Sequence, residues 1–331
     1  MVSTFGPEFE AFPKRGISNS ESQQLIRDGL RAAGYRCTIY SSSVHTTTPH
    51  WKIVPDGSVH GGFELVAPIL KGAAGIREMK AVLNIANEFS ECRGSSTGMH
   101  VHFGVFDKRT FNRSGNLVWS DMSSTQQQTC LRSRQVKRMQ VRLNNTMARF
   151  KSVIDFTVSA SRRIRNGPHR AGCHCRQCMC GGNEHVHITE RNGLEFINSR
   201  RFAAQGPATG SRFGGRYMKV NFHSLSRHGT VEFRQHQGTM NPVKAEKWIK
   251  LCYRLFARSW QQEYLNVRLG QYPKTLAGLM DYAGLGDDTY EWFRGRMETF
   301  NAPDHIMNGL GHPDGRLMGR SGGSRRSGTV A

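Results

Sequence analysis

Hydrophobic and polar positions alternate through three short segments set far apart in the chain: FGPEFEAF near its start, TGMHVHFG at 97–104 and GTVEFRQHQGT at 229–239. A period of two is the signature of a β-strand, whose successive side chains point to opposite faces. Between these segments the period changes. Ser20 followed by ESQQLIRDGLRAAG predicts a capped helix that closes at Gly34, and YRCTIYS at 35–41 predicts a strand. WKIVPDGSV predicts a strand and a tight turn, and GFELVAPI a further strand. From Gly75 to Ser90, apolar residues at Ile76, Met79, Val82, Leu83, Ala86 and Phe89 have the spacing of a core-facing helix.

The second half repeats the theme with longer helices. Residues 127–160 hold a strongly basic helical pattern with Leu131, Val136, Met139, Leu143 and Phe150 on its apolar side, read as one helix or two. RYMKVNFHSL and TVEFRQHQ predict two neighbouring antiparallel strands joined by a hairpin turn at SRHG. Pro242 opens a helix whose buried side is Trp248, Ile249, Leu251, Cys252, Leu255 and Phe256, and smaller helices are expected over 274–284 and 289–298. Residues 165–190 break every periodicity with Gly, Pro, His and Cys and read as an insertion. From about 309 the chain is rich in Gly, Ser and Arg and lacks the apolar surface to order itself, so 309–331 reads as a flexible basic tail. The pattern predicts an α+β fold of two layers, with helices backing an antiparallel sheet.

Composition narrows the class. The 331 residues are 37% hydrophobic, enough for a buried core, and 46 basic against 25 acidic residues give a formal charge of +21, spread along the chain. Acidic partners follow: a nucleoside triphosphate, nucleic acid, an anionic polymer or a carboxylate-rich protein surface. No run of eighteen apolar residues occurs and the start lacks a basic stretch followed by an apolar one, so a cytoplasmic protein without a membrane partner is expected. Four cysteines sit in CHCRQCMC and four, Cys37, Cys92, Cys130 and Cys252, are scattered, which is intracellular usage and not a disulfide framework.

The alternation places Glu8 with Glu10, His100 with His102, and Glu232 with Arg234 and then His236 on common strand faces. A wall of carboxylates, imidazoles and guanidinium is costly unless a metal or phosphate neutralises it. Magnesium prefers hard oxygen ligands, and Glu8, Glu10, Glu64 and Glu232 supply them. Arg234 suits a phosphate, because its planar fork can clamp a γ-phosphoryl group, while Gly238 and Thr239 form a turn whose N–H groups can meet an oxyanion. An HxH pair on a strand also suits zinc, as in a hydrolase.

GxExE at the start, then DGSV, ELVAP, GMHVHFG and EFRQHQGT followed by a tryptophan-bearing helix, occur in this order over roughly residues 4–255. In this the chain resembles the amidoligase family of the glutamine synthetase-like carboxylate-amine ligases. The resemblance implies a glutamine synthetase-like catalytic domain over 1–300, using ATP with Mg²⁺ or Mn²⁺. It implies Glu8, Glu10, Glu232 and His100 as metal ligands, Glu64 as a further acidic ligand, Asp56 more remotely, and His102 facing nucleotide or substrate. Arg234 would hold the transferred phosphoryl group, with His102, Gly238 and Thr239 also toward the nucleotide, and Glu64 or His236 would be the base for the amine. Asn221 lies where the family carries an asparagine, and Arg162, Arg163, Arg216 and Lys219 would extend a basic lining. The implied reaction joins a carboxylate to an amine through an acyl phosphate.

Cys173, Cys175, Cys178 and Cys180, with His169, His174, His185 and His187 nearby, can supply a tetrahedral zinc, although a spacing of one residue is tighter than that of a zinc ribbon and an iron–sulfur cluster is an alternative. Two rival functions stand beside the ligase: a nucleic-acid-binding or structural protein on a degenerate ligase fold, which explains the charge, and a zinc hydrolase using HVH, which leaves EFRQHQGT without a task.

Overall fold

The computed structural model describes residues 4–44, 46–57, 59–93, 96–105, 122–162, 185, 187–199, 218–261 and 269–308. Its sheet runs in the order β2-β3-β4-β1-β7-β9-β8, built from β1 (Thr4–Pro13), β2 (Cys37–Ile39), β3 (Trp51–Val54), β4 (Phe63–Val66), β7 (Gly98–Gly104), β8 (Val220–Asn221) and β9 (Thr230–Gln237). The two-residue strands β5 (Leu70–Lys71) and β6 (Ser90–Glu91) pair with the two ends of β1. All pairs are antiparallel except β2 with β3, which is parallel, so the sheet is mixed at its β2 edge where a wholly antiparallel one was expected.

One face of this sheet is apolar. Phe9, Trp51, Ile53, Phe63, Leu65, Met99, Val101, Phe103 and Phe233 form a single core with the helices α1 (Asn19–Ala32), α2 (Gly72–Phe89), α4 (Arg134–Arg149) and α8 (Pro242–Gln261). These helices contribute Ile26 and Leu30, Met79 and Leu83, Met139 and Leu143, and Trp248 and Leu251 respectively. The predicted two-layer α+β arrangement is therefore present, and the alternate positions of the strands are left for the opposite face.

Local structure departs from the sequence reading in places. α1 begins one residue after Ser18, not after Ser20: Ser18 Oγ accepts from Glu21 N–H and the Glu21 carboxylate accepts from Ser18 N–H, a reciprocal cap. The basic pattern over 127–160 breaks twice, into α3 (Ser124–Arg132), α4 and α5 (Lys151–Thr157). Ser133 makes the first break, since it ends α3 in an extended conformation and its Oγ then caps α4. SRHG is not a tight hairpin turn. Residues Ser224–His228 form a helical turn, α7, closed by Gly229 in the left-handed conformation (φ 65°), and β9 starts immediately after it.

Beyond α6 (Glu190–Asn198), the chain ends in α9 (Leu276–Ala283), α10 (Asp287–Thr299) and α11 (Asp304–Met307), close to the two smaller helices expected. Among the described residues no helix is long and apolar enough to cross a membrane. Cys173, Cys175, Cys178, Cys180, His169 and His174 lie outside the described residues, as do Arg163, Arg216 and the tail 309–331.

Candidate active site

Strand register brings the ionisable residues together on the face opposite the helices. Lys52, Val66, Glu8 and His100 form one row across β3, β4, β1 and β7. Val54, Glu64 and Glu10 form the next, and Gly6, His102, Glu232 and Asn221 a third across β1, β7, β9 and β8. Neighbouring strands lie about 4.8 Å apart, so each row sets polar side chains within reach of one another.

Each carboxylate is held differently. Glu10, 1% exposed, accepts the Gly98 N–H at 2.6 Å. Glu232, 3% exposed, accepts Asn221 Nδ2 at 2.6 Å and Ser224 Oγ at 3.0 Å on one oxygen, while Arg234 pairs with the other. Asn221 is positioned by accepting the His223 N–H at 2.8 Å. His102 Nδ1 shares a hydrogen bond of 2.8 Å with Thr230 Oγ1, which turns Nε2 toward Glu8 at 3.5 Å and Glu232 at 3.7 Å. His100 lies 3.6 Å from Glu8, 3.9 Å from Glu10 and 3.8 Å from Glu232, and its Nε2 is buried without a hydrogen-bond partner.

Those separations are longer than hydrogen bonds and match the spacing of ligands around a shared cation. Oxygens and nitrogens about 2.1 Å from one octahedral ion are about 3 Å apart along an edge and about 4 Å apart across it. Three groups of side chains offer ligand atoms within 4.8 Å of one another: Glu8, His102 and Glu232; Glu8, Glu64 and His100; Glu10, Asp56 and Glu64. The orphaned Nε2 of His100 and the oxygen-rich donor set fit Mg²⁺ or Mn²⁺. Asp56, given only a remote role from the sequence, is brought into the third group by the turn after β3.

The electrostatics divide the four glutamates into two pairs. Burial alone would raise Glu8, but His102 and His100 outweigh it and hold its carboxyl at about 2. Glu232 is likewise held well below the usual carboxylate range, against its burial, by Arg234, His102 and His100. Burial pushes Glu10 up despite the opposing pull of His100. Burial, reinforced by Glu8, Asp56 and Glu10, pushes Glu64 well up. Two anions are thus stable as they stand, and two more await a positive charge.

Arg234 is 7% exposed, and its Nε is buried without a hydrogen-bond partner, so the guanidinium is only partly used by Glu232. Its neighbours in the sequence turn elsewhere. In β9 the pairing with β7 slips between Met99 and Val101, a β-bulge that sets His236 opposite Met99. His236 therefore leaves the face of Glu232 and Arg234, where simple alternation had put it. It packs on Trp248 of α8 with ring centroids 5.1 Å apart, and burial pushes its imidazole down to about 3. That environment does not supply a base to the opposite face.

Gly238 is committed too: its N–H donates to Thr97 O at 2.7 Å, and a Cβ at this position would fall 2.3 Å from Thr97 Oγ1. Thr239 Oγ1 accepts the Asn241 N–H, at the start of α8. These two residues join β9 to the chain ahead of β7 and do not present an oxyanion-binding turn. Lys219 ion-pairs with Asp155, which also accepts from Gln235, so its charge is neutralised and does not extend a basic lining. Arg162 is fully buried and donates to Thr97 O. His185, counted above among possible zinc ligands, uses both ring nitrogens internally: Nε2 accepts the Val220 N–H at 3.1 Å and Nδ1 bonds Asn144 Oδ1 at 2.8 Å.

Sequence similarity to a known family falls on β8 and β9, two of the strands that carry this site. The sequence model of the family described as "Putative amidoligase enzyme" matches residues 195–256. That stretch includes Asn221, Glu232, Arg234 and Trp248, and the family is the one whose motifs residues 4–255 resemble. No curated protein sequence matches. A bifunctional glutathione synthetase from Pasteurella multocida aligns with a TM-score of 0.40 and 12% identity, over 93% of this chain and 48% of its own. A GmaS/ADP complex aligns with a TM-score of 0.41 and 11% identity, over 91% of this chain and 70% of its own. The chain thus spans about half the length of the first of these structures.

Ser224, Thr230, Thr97 and Lys52 were not singled out from the sequence. Only Thr230 had a local signal, standing two residues before Glu232 in the same strand.

Proposed function

We propose that this protein is an ATP-dependent carboxylate-amine ligase of the amidoligase type. The observation that carries the reading is the triple overlap of carboxylate and imidazole ligands around Glu8 and Glu64, beside a buried arginine with an unpartnered Nε. Divalent cations bound there would screen the repulsion between a substrate carboxylate and the triphosphate.

The chain's own residues then have distinct tasks. Glu8, Glu10, Glu64, Glu232 and His100 would hold the cations, with Asp56 joining Glu10 and Glu64. Asn221 and Ser224 fix one oxygen of Glu232 and leave the other to Arg234 and the imidazoles. Arg234 would bind the γ-phosphoryl group and stabilise its charge in transfer. The carboxylate oxygen bonds to the γ-phosphorus as the bond to ADP breaks, giving an acyl phosphate. The amine nitrogen then attacks the acyl carbon, phosphate leaves, and the amine gives up a proton. The departing phosphate can carry that proton away, since Glu64, the candidate base on this face, is already committed to the cations. The charge of +21 suits an acidic co-substrate, small or polymeric.

The test is phosphate release from ATP and Mg²⁺ by the purified chain offered pooled carboxylates and amines, with Arg234→Ala alongside. Release that needs both pools and Arg234 is expected. Release that is equal in the variant would remove Arg234 from the site, and none from any pool together with tight nucleic-acid binding would replace the ligase with a binding protein.

A further inference from the structure

A positive charge stands on the same sheet face as the carboxylates, two strands from Glu8, and none of the roles above uses it. Lys52 lies on the site face of β3, in the same cross-strand row as Glu8 and His100, and is 5% exposed. Its Nζ donates to the carbonyl oxygens of Val44, at 2.6 Å, and Thr46, at 2.8 Å, both on the connection between β2 and β3. The acidic groups acting on it are Glu8 and Glu64. Both belong to the ligand groups described above, and Glu8 and Glu64 share one of them.

Burying an ammonium is costly unless it is paired and hydrogen-bonded. Two carbonyl oxygens would be served as well by a neutral donor. Placing a full charge two strands from Glu8, about 10 Å across the sheet, has a further effect, because it competes with any cation for the field of Glu8 and Glu64. Arg234 stands on the other side of Glu8, in β9, where it pairs with Glu232 and also acts on Glu8 and Glu64. The Glu8–Glu64 end of the site is therefore flanked by two cations, Arg234 from β9 and Lys52 from β3.

We propose that Lys52 is a built-in counter-charge that weakens divalent-cation binding at the Glu8–Glu64 end of the site, so that a cation is held firmly there only when it arrives with an anionic ligand. This rests on the cation-dependent reading of the site given above. Lys52 is a positioning residue: it touches neither cation nor substrate, and acts through Glu8 and Glu64.

The experiment is Mn²⁺ binding to the full chain, followed by the electron paramagnetic resonance signal of free Mn²⁺, with thermal unfolding measured on the same samples. Lys52→Gln keeps an N–H donor for the Val44 and Thr46 carbonyls without the charge, and Lys52→Arg keeps the charge. Lys52→Gln is expected to bind Mn²⁺ about tenfold more tightly than the parent after screening, and Lys52→Arg to match the parent. The gap should narrow when a non-hydrolysable ATP analogue is added. Equal Mn²⁺ affinity in all three, with the unfolding temperature lowered in Lys52→Gln, would reduce Lys52 to a loop tether and overturn the proposal. Should Lys52→Gln not fold, Lys52→Met is read in its place; if neither neutral variant folds while Lys52→Arg does, the charge is a folding requirement and the tuning role is overturned. A parent protein that binds no Mn²⁺ up to millimolar concentration would instead remove the cation-site reading itself, an outcome distinct from the other two.

Discussion

Replacing Glu64 by glutamine should stabilise the cation-free protein while weakening its stabilisation by magnesium, because two of the three ligand groups contain Glu64. Glu64 offers a ligand oxygen within 4.8 Å of Glu8 in one group and of Glu10 and Asp56 in another. Two unit charges at that separation repel by about 3–4 kcal/mol at an effective dielectric constant of about 20. The carboxyl escapes by keeping its proton, and burial followed by Glu8, Asp56 and Glu10 raises its folded pKa accordingly. The sign follows from linkage. A group whose folded pKa is raised contributes its stability below the unfolded pKa, where both states are protonated, and loses it as pH rises toward the folded value, because only the unfolded state gives up its proton. Each pH unit in that window costs up to about 1.4 kcal/mol. Glutamine carries no such cost, so Glu64→Gln should gain about 2–4 kcal/mol over the parent near neutral pH in EDTA, on the order of 5 °C in unfolding temperature, and the gain should vanish below about pH 4. Added Mg²⁺ should raise the parent's unfolding temperature by more than the variant's, which keeps only the Glu8, His102 and Glu232 group intact. Scanning calorimetry from pH 4 to 8, with EDTA or millimolar Mg²⁺, measures all of this. A variant less stable than the parent in EDTA at every pH, or equally raised by Mg²⁺, would refute the repulsion argument.

Other parts of the molecule make equally definite demands. Glu232→Gln and Arg234→Lys should each lower ligase turnover by about 10²-fold or more, since each removes charge or fork geometry at the reacting face, and Glu232→Gln should also lower the unfolding temperature because it leaves the buried Arg234 without its anionic partner; near-parental rates would remove them from the site. Gly238→Ala should cost about 2 kcal/mol or more in denaturant unfolding, because a Cβ there would meet Thr97 Oγ1 at 2.3 Å. Burial holds the His185 and His236 imidazoles at about 3. Their folded values are depressed, so the stability they contribute is full above the unfolded pKa of about 6.5 and is lost as pH falls toward 3, by up to about 1.4 kcal/mol per unit for each. His185→Asn should therefore flatten the acid limb of a stability–pH curve, and an unchanged slope would contradict the buried neutral imidazole.

The segments that carry the chemistry were legible one at a time because their signal is local. Alternation in GPEFE, HVH and VEFR assigns Glu8, Glu10, His100, His102, Glu232 and Arg234 to strand faces without knowledge of any neighbour, since period two is a property of one extended chain. The amphipathic helices were readable for the same reason, with Met79, Val82 and Leu83 or Trp248 and Leu251 marking the side that is buried. What pairing decides could not be read this way. The bulge opposite Met99 exists only in the register between β7 and β9, and it turns His236 to the core one residue after alternation would have kept it on the site. Lys52 and Asp56 reach the cluster because β3 lies beside β4 and β4 beside β1, an order set by packing over the whole sheet. Lys219 and His185 are spent on Asp155, Asn144 and Val220, partners 35 to 64 residues away. Local sequence determined which side chains a strand offers to a face; only the folded sheet decided which of them share a charge, because interactions between charges depend on distances that no single segment contains.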